Sequence, residues 1–512
     1  MKRLLLLGLL AMQTAVHCAT VQLRIDTTRP GPVVNKHVYG QFAEHLGTGI
    51  YGGLWVGTDS PIPNTRGWRN DAVAALKALQ VPLVRWPGGC FADEYHWRDG
   101  IGPVAQRPKR LNKLWGGVLE PNAVGTHEFF DLAEQLGADA YINGNIGSGT
   151  VQEMADWLEY MTSDSQSTLA DERRRNGRAA PYKVTHFGVG NETWGCGGHM
   201  TPEGYAAQYR QYATFLRFPN RPKLIASGGN DADTRWTEVL SRDITHTVDG
   251  IAHHYYTFPS GKFHGKGASR GFGKAEWIST LANAHKLGEF IDKNLAVLDK
   301  NDPQKKLAFY VDEWGTWYDD DADLKHRGLL AQHNTQRDAL VAALHFHLFH
   351  GRAERVQMAN IAQMANVLQA MVQTEGPRMV LTPTYHAFAL YVPFQGASTL
   401  PATLDHTPEL VSGDHRLPAV SVSAARATDG RLVLAIVNSD PLAAHQLQVV
   451  LPGGQAPRSA SGRLLTAPQL DAINTFDAPH TVQPRPVAFR AQGGSLTIAL
   501  PAASVQVLHL EP

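Results

Sequence analysis

The chain runs to 512 residues, enough for about two or three compact units, and its 47 Lys+Arg balance its 47 Asp+Glu at a formal net charge of zero. That balance leaves no basic face of the kind a nucleic-acid partner needs. The expected ligand is neutral or weakly charged.

Met1-Lys2-Arg3 leads into an apolar run from Leu4 to Leu10 broken only by Gly8, ending near Cys18 and Ala19. This reads as a signal peptide over residues 1–18, too short for a bilayer, and predicts export to the periplasm or the extracellular space. No later stretch of about 18 or more apolar residues supplies a membrane span. Val21-Gln22-Leu23-Arg24-Ile25 alternates as a lone strand within 19–35, free to join a later sheet. From 36 to 387, short apolar runs alternate with helical stretches. The runs 38–45, 82–89, 138–145, 184–192, 223–229, 250–256, 307–315 and 356–363 match the eight strands of a (β/α)₈ barrel, an α/β fold. Thr150-Val151-Gln152-Glu153 is a capping box, and Thr201-Pro202 places a cap and an N1 proline ahead of another helix. After 388, runs at 431–437, 446–451, 495–500 and 504–510, parted by Pro, Gly and Asp, predict a C-terminal antiparallel β-sandwich over 388–512.

In such a barrel, functional side chains leave from the carboxyl ends of the strands. The fourth run closes on Gly190-Asn191-Glu192-Thr193-Trp194 and the seventh on Val311-Asp312-Glu313-Trp314-Gly315, so each offers a glutamate at the mouth. A pair of carboxyls is what a retaining glycosidase needs, about 5 Å apart: one to protonate the leaving oxygen, one to attack the anomeric carbon. Tryptophans near glycine, as in Trp86-Pro87-Gly88-Gly89 and Trp194-Gly195, suit the faces of sugar rings and equally the edge of a core. His345, His347 and His350 lack metal-ligand spacing, and no His-Glu-x-x-His occurs, so no metal and no cofactor is expected. The run Asp319-Asp320-Asp321-Ala322-Asp323 reads as a solvated loop that could line the entrance. Cys90 and Cys196 could pair or remain free buried thiols.

Five motifs in order then resemble glycoside hydrolase family 51, the α-L-arabinofuranosidases. They are Tyr39-Gly40-Gln41-Phe42-Ala43-Glu44-His45, Arg85-Trp86-Pro87-Gly88-Gly89-Cys90-Phe91-Ala92-Asp93, Gly188-Val189-Gly190-Asn191-Glu192, Val311-Asp312-Glu313-Trp314 and Ala359-Asn360-Ile361-Ala362-Gln363. The resemblance implies that Glu192 is the general acid/base and Glu313 the nucleophile. It implies that Glu44, Asn191 and Gln363 hold the sugar's hydroxyls, that His254 and Tyr256 flank the two glutamates, and that Arg85 keeps the nucleophile ionised. It further implies retaining, exo-acting release of terminal arabinofuranosyl groups from arabinan, arabinoxylan or their oligosaccharides, and a homo-hexamer. Where this chain has Cys90, some members carry a sugar-contacting Asn. The competing readings are an endo-acting β-glucanase or xylanase on a similar barrel, and a catalytically silent carbohydrate-binding protein.

Overall fold

Eight parallel strands, Gly40–Phe42, Leu83–Trp86, Asp139–Gly144, Val184–Val189, Lys223–Ala226, Gly250–Thr257, Ala308–Thr316 and Val356–Ala362, pair in chain order and close into a barrel. They belong to a computed structural model that describes residues 20–218 and 220–511; the leader read from residues 1–18, with Cys18, lies outside them. The first strand is shorter than its apolar run because Lys36–Tyr39 winds into a 3₁₀ turn capped by the Asn35 side chain. The helices start where their caps predict: the Thr150 side chain accepts from Glu153 N ahead of Val151–Thr162. Thr201 does the same from Gly204 N ahead of Pro202–Phe215.

Two layers of inward side chains follow from the two-residue repeat of a strand. Leu83, Tyr141, Ile225, Ala252, Tyr310 and Met358 pack as an apolar floor. Two residues further along the same strands come Arg85, Asn143, His254, Asp312 and Asn360, all buried. One irregularity matters for the site. Ala252 pairs with Tyr310 but His254 pairs with Glu313, and the register against the eighth strand shifts over the same residues. The seventh strand therefore carries one extra residue, and such a bulge re-aims side chains. Asp312 and Glu313, neighbours that strict alternation would send to opposite faces, both reach Arg85 inside the barrel.

The C-terminal sandwich has a six-stranded sheet in the order Ser398–Leu400, Val420–Arg426, Leu432–Asn438, Ser504–Glu511, Ser459–Leu465, Arg485–Arg490. Its four-stranded partner sheet runs Ala402–Leu404, Thr20–Ile25, His445–Val450, Leu496–Leu500. Thr20–Ile25 is thus an interior strand, parallel to His445–Val450 and antiparallel to Ala402–Leu404, and Val21, Leu23 and Ile25 enter the core between the sheets.

Helix Gln336–His350 is buried along its whole length between barrel and sandwich. Two of its histidines are staples across this boundary. His347 lies between Tyr391 OH at 2.7 Å and Ser421 Oγ at 2.8 Å, and His350 between Tyr39 OH at 2.6 Å and Ser423 Oγ at 2.8 Å. Burial pushes His347 down to about 3 and His350 well below its ordinary value, so both are neutral hydrogen-bonding groups. Among the described residues, no helix is long and apolar enough to cross a membrane.

Candidate active site

The turn that ends the fourth strand places Glu192 in the left-handed region, at φ 41°, a conformation a non-glycine residue adopts only when its surroundings hold it there. Several groups do so. Gly195 N and Gly197 N donate to Glu192 O at 2.7 and 3.1 Å. Asp93 takes Asn191 N at 2.9 Å on one carboxylate oxygen, and Ile146 N and Gly147 N at 2.8 and 2.9 Å on the other. Asp93 thereby ties the loops after the third and fourth strands to the loop after the second, and the remaining amides of the glycine-rich segment, Ser148 N and Gly149 N, donate to Asn145 Oδ1 at 2.9 Å each. A Cys90–Cys196 disulfide joins two of these loops, with Cα atoms 5.6 Å apart.

Around Glu192 the structure gathers the other residues singled out from the sequence. Arg85, flanked by the rings of Phe42 and Tyr141 at 4.6 and 5.6 Å, donates to Glu313 Oε2 at 2.8 Å and to Asn191 Oδ1 at 2.5 Å. Tyr256 OH donates to Glu313 Oε1 at 2.8 Å. His254 Nδ1 donates to Glu192 Oε1 at 2.9 Å and lies 3.6 Å from Glu313 Oε2, while its Nε2 faces Asp312 Oδ1 at 3.3 Å. Glu44 accepts Phe91 N at 3.0 Å, Trp115 Nε1 at 2.9 Å and Gln363 Nε2 at 3.2 Å. The ligating atoms of Glu192, His254 and Glu313 all lie within 4.8 Å of one another. Gly88 and Gly89 admit this crowding: a Cβ on Gly88 would stand 2.8 Å from Glu44 Cγ, and one on Gly89 3.0 Å from Glu313 Oε2.

Two cations and four carboxyl groups share this buried space, and their environments drive the carboxyls apart. Burial, reinforced by the Glu313 charge, raises Glu192 above its ordinary value against the pull of His254. The same two causes, in the same order, push Glu44 up to about 7. Burial also opposes ionisation of Asp312, but Arg85 and His254 overcome it and hold Asp312 below the usual carboxylate range. His254 is the converse: burial disfavours its charge, yet Glu313, Asp312 and Glu192 carry it up to about 10. The surroundings thus favour the charged forms of His254 and Asp312 and the neutral forms of Glu192 and Glu44.

These groups open into a cavity of about 560 Å³. Glu44, Gln363 and Trp115 line it together with Trp194, Phe258 and Trp317. Several of these residues are not singled out by sequence patterning. Trp317 follows Glu313 by four residues and could have been sought there. Trp115 arrives from a hairpin of Arg110–Asn112 and Val118–Glu120 with no motif to mark it, and Asp231 joins from the loop after the fifth strand. Other tryptophans belong to the core. Trp86 is 1 % exposed, stacks on Phe129 at 4.9 Å and donates to His45; Trp314 packs outward against His345 and Phe388. The acidic run is an exposed loop at Asp319, Asp320, Ala322 and Asp323, within which Asp319 accepts from Lys266 N and Gly267 N, and Asp321 from Ser269 Oγ and His333 N.

The chain matches the model of the Alpha-L-arabinofuranosidase 1 domain over residues 75–269 and that of the Alpha-L-arabinofuranosidase C-terminal domain over residues 312–504. It is 45% identical to an intracellular exo-alpha-L-arabinofuranosidase of Bacteroides ovatus across 97% of this chain and 96% of that one. It superposes on the GH51 arabinofuranosidase of Xanthomonas axonopodis pv. citri with a TM-score of 0.93 at 51% identity, over 96% of this chain and 100% of that one. The α-L-arabinofuranosidase of Thermotoga maritima in its arabinose complex follows at 0.85 and 29%, with 96% and 100% covered. A bifunctional glucanase-xylanase from a metagenome library, at TM-score 0.61 and 14% identity, shares the fold alone. The Bacteroides ovatus relative corrects the expectation of a signal peptide and export, because a protein so alike along nearly its whole length is intracellular. That expectation rested on composition only: a basic start and a run of leucines record apolarity, not the route a chain takes. With this identity sustained over 97% of its length, the chain belongs to glycoside hydrolase family 51, the α-L-arabinofuranosidases.

Proposed function

We propose that the protein releases terminal α-L-arabinofuranosyl groups from arabinan, arabinoxylan or their oligosaccharides, with retention, by double displacement. Glu192, whose neutral form burial favours, gives its proton to the glycosidic oxygen as Glu313 attacks the anomeric carbon. The arabinosyl-Glu313 ester then yields to water, from which Glu192, now ionised, takes a proton. Arg85 and Tyr256 each bond one oxygen of Glu313 and fix the direction of attack. Glu44, Asn191 and Gln363 supply the acceptors and donors that read the sugar's hydroxyls, and Trp115 sets Glu44.

The observation that carries this reading is the separation of the two carboxyls. Oxygens of Glu192 and Glu313 within 4.8 Å of each other suit direct attack, whereas inversion needs carboxyls about 6.5–9.5 Å apart with room for a water between them. Homo-hexameric assembly rests on the family resemblance alone and is open to sedimentation.

The test is hydrolysis of p-nitrophenyl α-L-arabinofuranoside by wild type, Glu313→Ala and Glu192→Ala, with azide added. Wild-type turnover, its loss in Glu313→Ala, and azide rescue of Glu192→Ala with a retained-configuration arabinosyl azide are expected. Internal cleavage of a β-glucan or xylan with no turnover of the arabinoside would replace this reading with an endo-acting one.

A further inference from the structure

Two sulfur atoms face the carboxyl group of Glu192 on the side away from His254. Cys196 Sγ lies 3.6 Å and Cys90 Sγ 3.8 Å from Glu192 Oε2, and one donor atom from each of the three residues falls within 4.8 Å of the others. All three are partly accessible, and Cys90 and Glu192 line the cavity, so a small solute entering it meets the disulfide directly. As a disulfide the pair offers a cation nothing; as thiolates the same sulfurs are strong ligands for zinc.

The geometry points to a latent cation site: once the Cys90–Cys196 bond is opened, Cys90, Cys196 and Glu192 bind one zinc-like divalent ion, which takes Glu192 out of use. The distances support it. Tetrahedral coordination with Zn–S of about 2.3 Å and Zn–O of about 2.0 Å places sulfur and oxygen about 3.5 Å apart, close to the 3.6 and 3.8 Å present. Both cysteine Cα atoms stand 5.6 Å apart, within reach of a single ion by side-chain rotation. Two thiolates and one carboxylate leave a zinc ion with one net negative charge, and the His254 imidazolium on Glu192 Oε1 at 2.9 Å offsets it.

The chemistry is in two steps. An external dithiol gives two electrons and two protons to the disulfide, becoming a cyclic disulfide itself and leaving two cysteine thiols. Metal entry then displaces both thiol protons and the proton of Glu192. The inhibitory half of this inference rests on Glu192 being the acid/base, whereas the binding half does not. Cobalt(II) therefore serves as the probe, since thiolate ligation gives it a near-ultraviolet charge-transfer band independent of any glycosidase assay.

The experiment compares folded wild type before and after dithiol treatment and removal of the dithiol, with reduced Cys196→Ser and with wild type reduced and then alkylated in case the serine variant does not fold. Reduced wild type should take up one cobalt ion per chain with the charge-transfer band. Zinc should displace that ion and lower arabinoside hydrolysis at least tenfold, and a chelator should restore it. The oxidised, alkylated and Cys196→Ser forms should lack the band. The inference is overturned if the dithiol frees no thiols in the folded protein, if oxidised protein binds cobalt equally, or if Cys196→Ser keeps the full band. A full band with hydrolysis unchanged would remove Glu192 from the ligand set and overturn it as well.

Discussion

Glu44 should make the protein less stable as the pH rises, and Glu44→Gln should reveal by how much. The carboxyl is 2 % exposed, and its value is carried from the ordinary 4.5 up to about 7 by burial and by the Glu313 charge. A carboxyl raised on folding favours the native state in its protonated form. The advantage is complete below about pH 4.5 and is lost as the pH climbs through about 7. Integrated over that window, the difference is worth about 3 kcal/mol. Glutamine cannot ionise, so it escapes this loss. Its amide does oppose Gln363 Nε2, which Glu44 now accepts at 3.2 Å, a cost of about 1 kcal/mol that is the same at every pH. The stability of Glu44→Gln relative to wild type should therefore rise by about 3 kcal/mol between pH 4 and pH 8, whatever its absolute sign. Urea unfolding at the two pH values measures it. An identical difference at both, within about 1 kcal/mol, would refute the burial argument.

Gly89→Ala should cut kcat on an aryl arabinofuranoside by about a hundredfold, since its Cβ would press on Glu313 Oε2 from 3.0 Å and small displacements of a nucleophile are costly; thermal unfolding should show the fold retained. Asp93→Asn turns an NH₂ group toward Asn191 N–H, now a 2.9 Å donor to that carboxylate. It should lower kcat at least tenfold by loosening the shelf under Glu192, and an unchanged steady-state rate would remove Asp93 from that role. Ser423→Ala strips the buried His350 Nδ1 of its 2.8 Å partner and should cost about 1–3 kcal/mol in urea unfolding with hydrolysis unaltered. His347 and His350 are depressed in the fold, so stability should fall as the pH drops below about 6.5 toward 3, where the unfolded chain binds protons that the folded one refuses.

What could be read in the sequence is what local pattern encodes. Parallel strands buried on both faces leave continuous apolar runs, and the polar residue that closes each run stands at the barrel mouth, which is why Glu192 and Glu313 could be picked out by position, whereas Glu44 and Gln363 are marked only by the family motifs around them. Asp312 could not, because two-residue alternation places it opposite Glu313 and only the bulge, a property of pairing with two neighbouring strands, turns both inward. Trp115 and the union of Cys90 with Cys196 depend on loops that meet only after the barrel closes. The three histidines of helix Gln336–His350 carry no metal spacing, and what two of them do carry, a seam to Ser421 and Ser423, depends on a sheet more than 70 residues away in the chain. Trp86 shows the opposite error available to a sequence reader: a tryptophan beside glycines that serves the core.

The placement of Thr20–Ile25 between Ala402–Leu404 and His445–Val450 has a temporal consequence. The earliest described strand to leave a ribosome fits between two of the last to be made. At about 5–20 residues per second, roughly 20–80 s of synthesis separates it from its neighbours. Through that interval an alternating, edge-exposed β segment has no partner within its own chain, and unpaired edges attract whatever strand is at hand. The barrel can be complete while the sandwich still waits for its first strand to be recaptured, so vulnerability during biogenesis should concentrate in these six residues rather than at the catalytic centre.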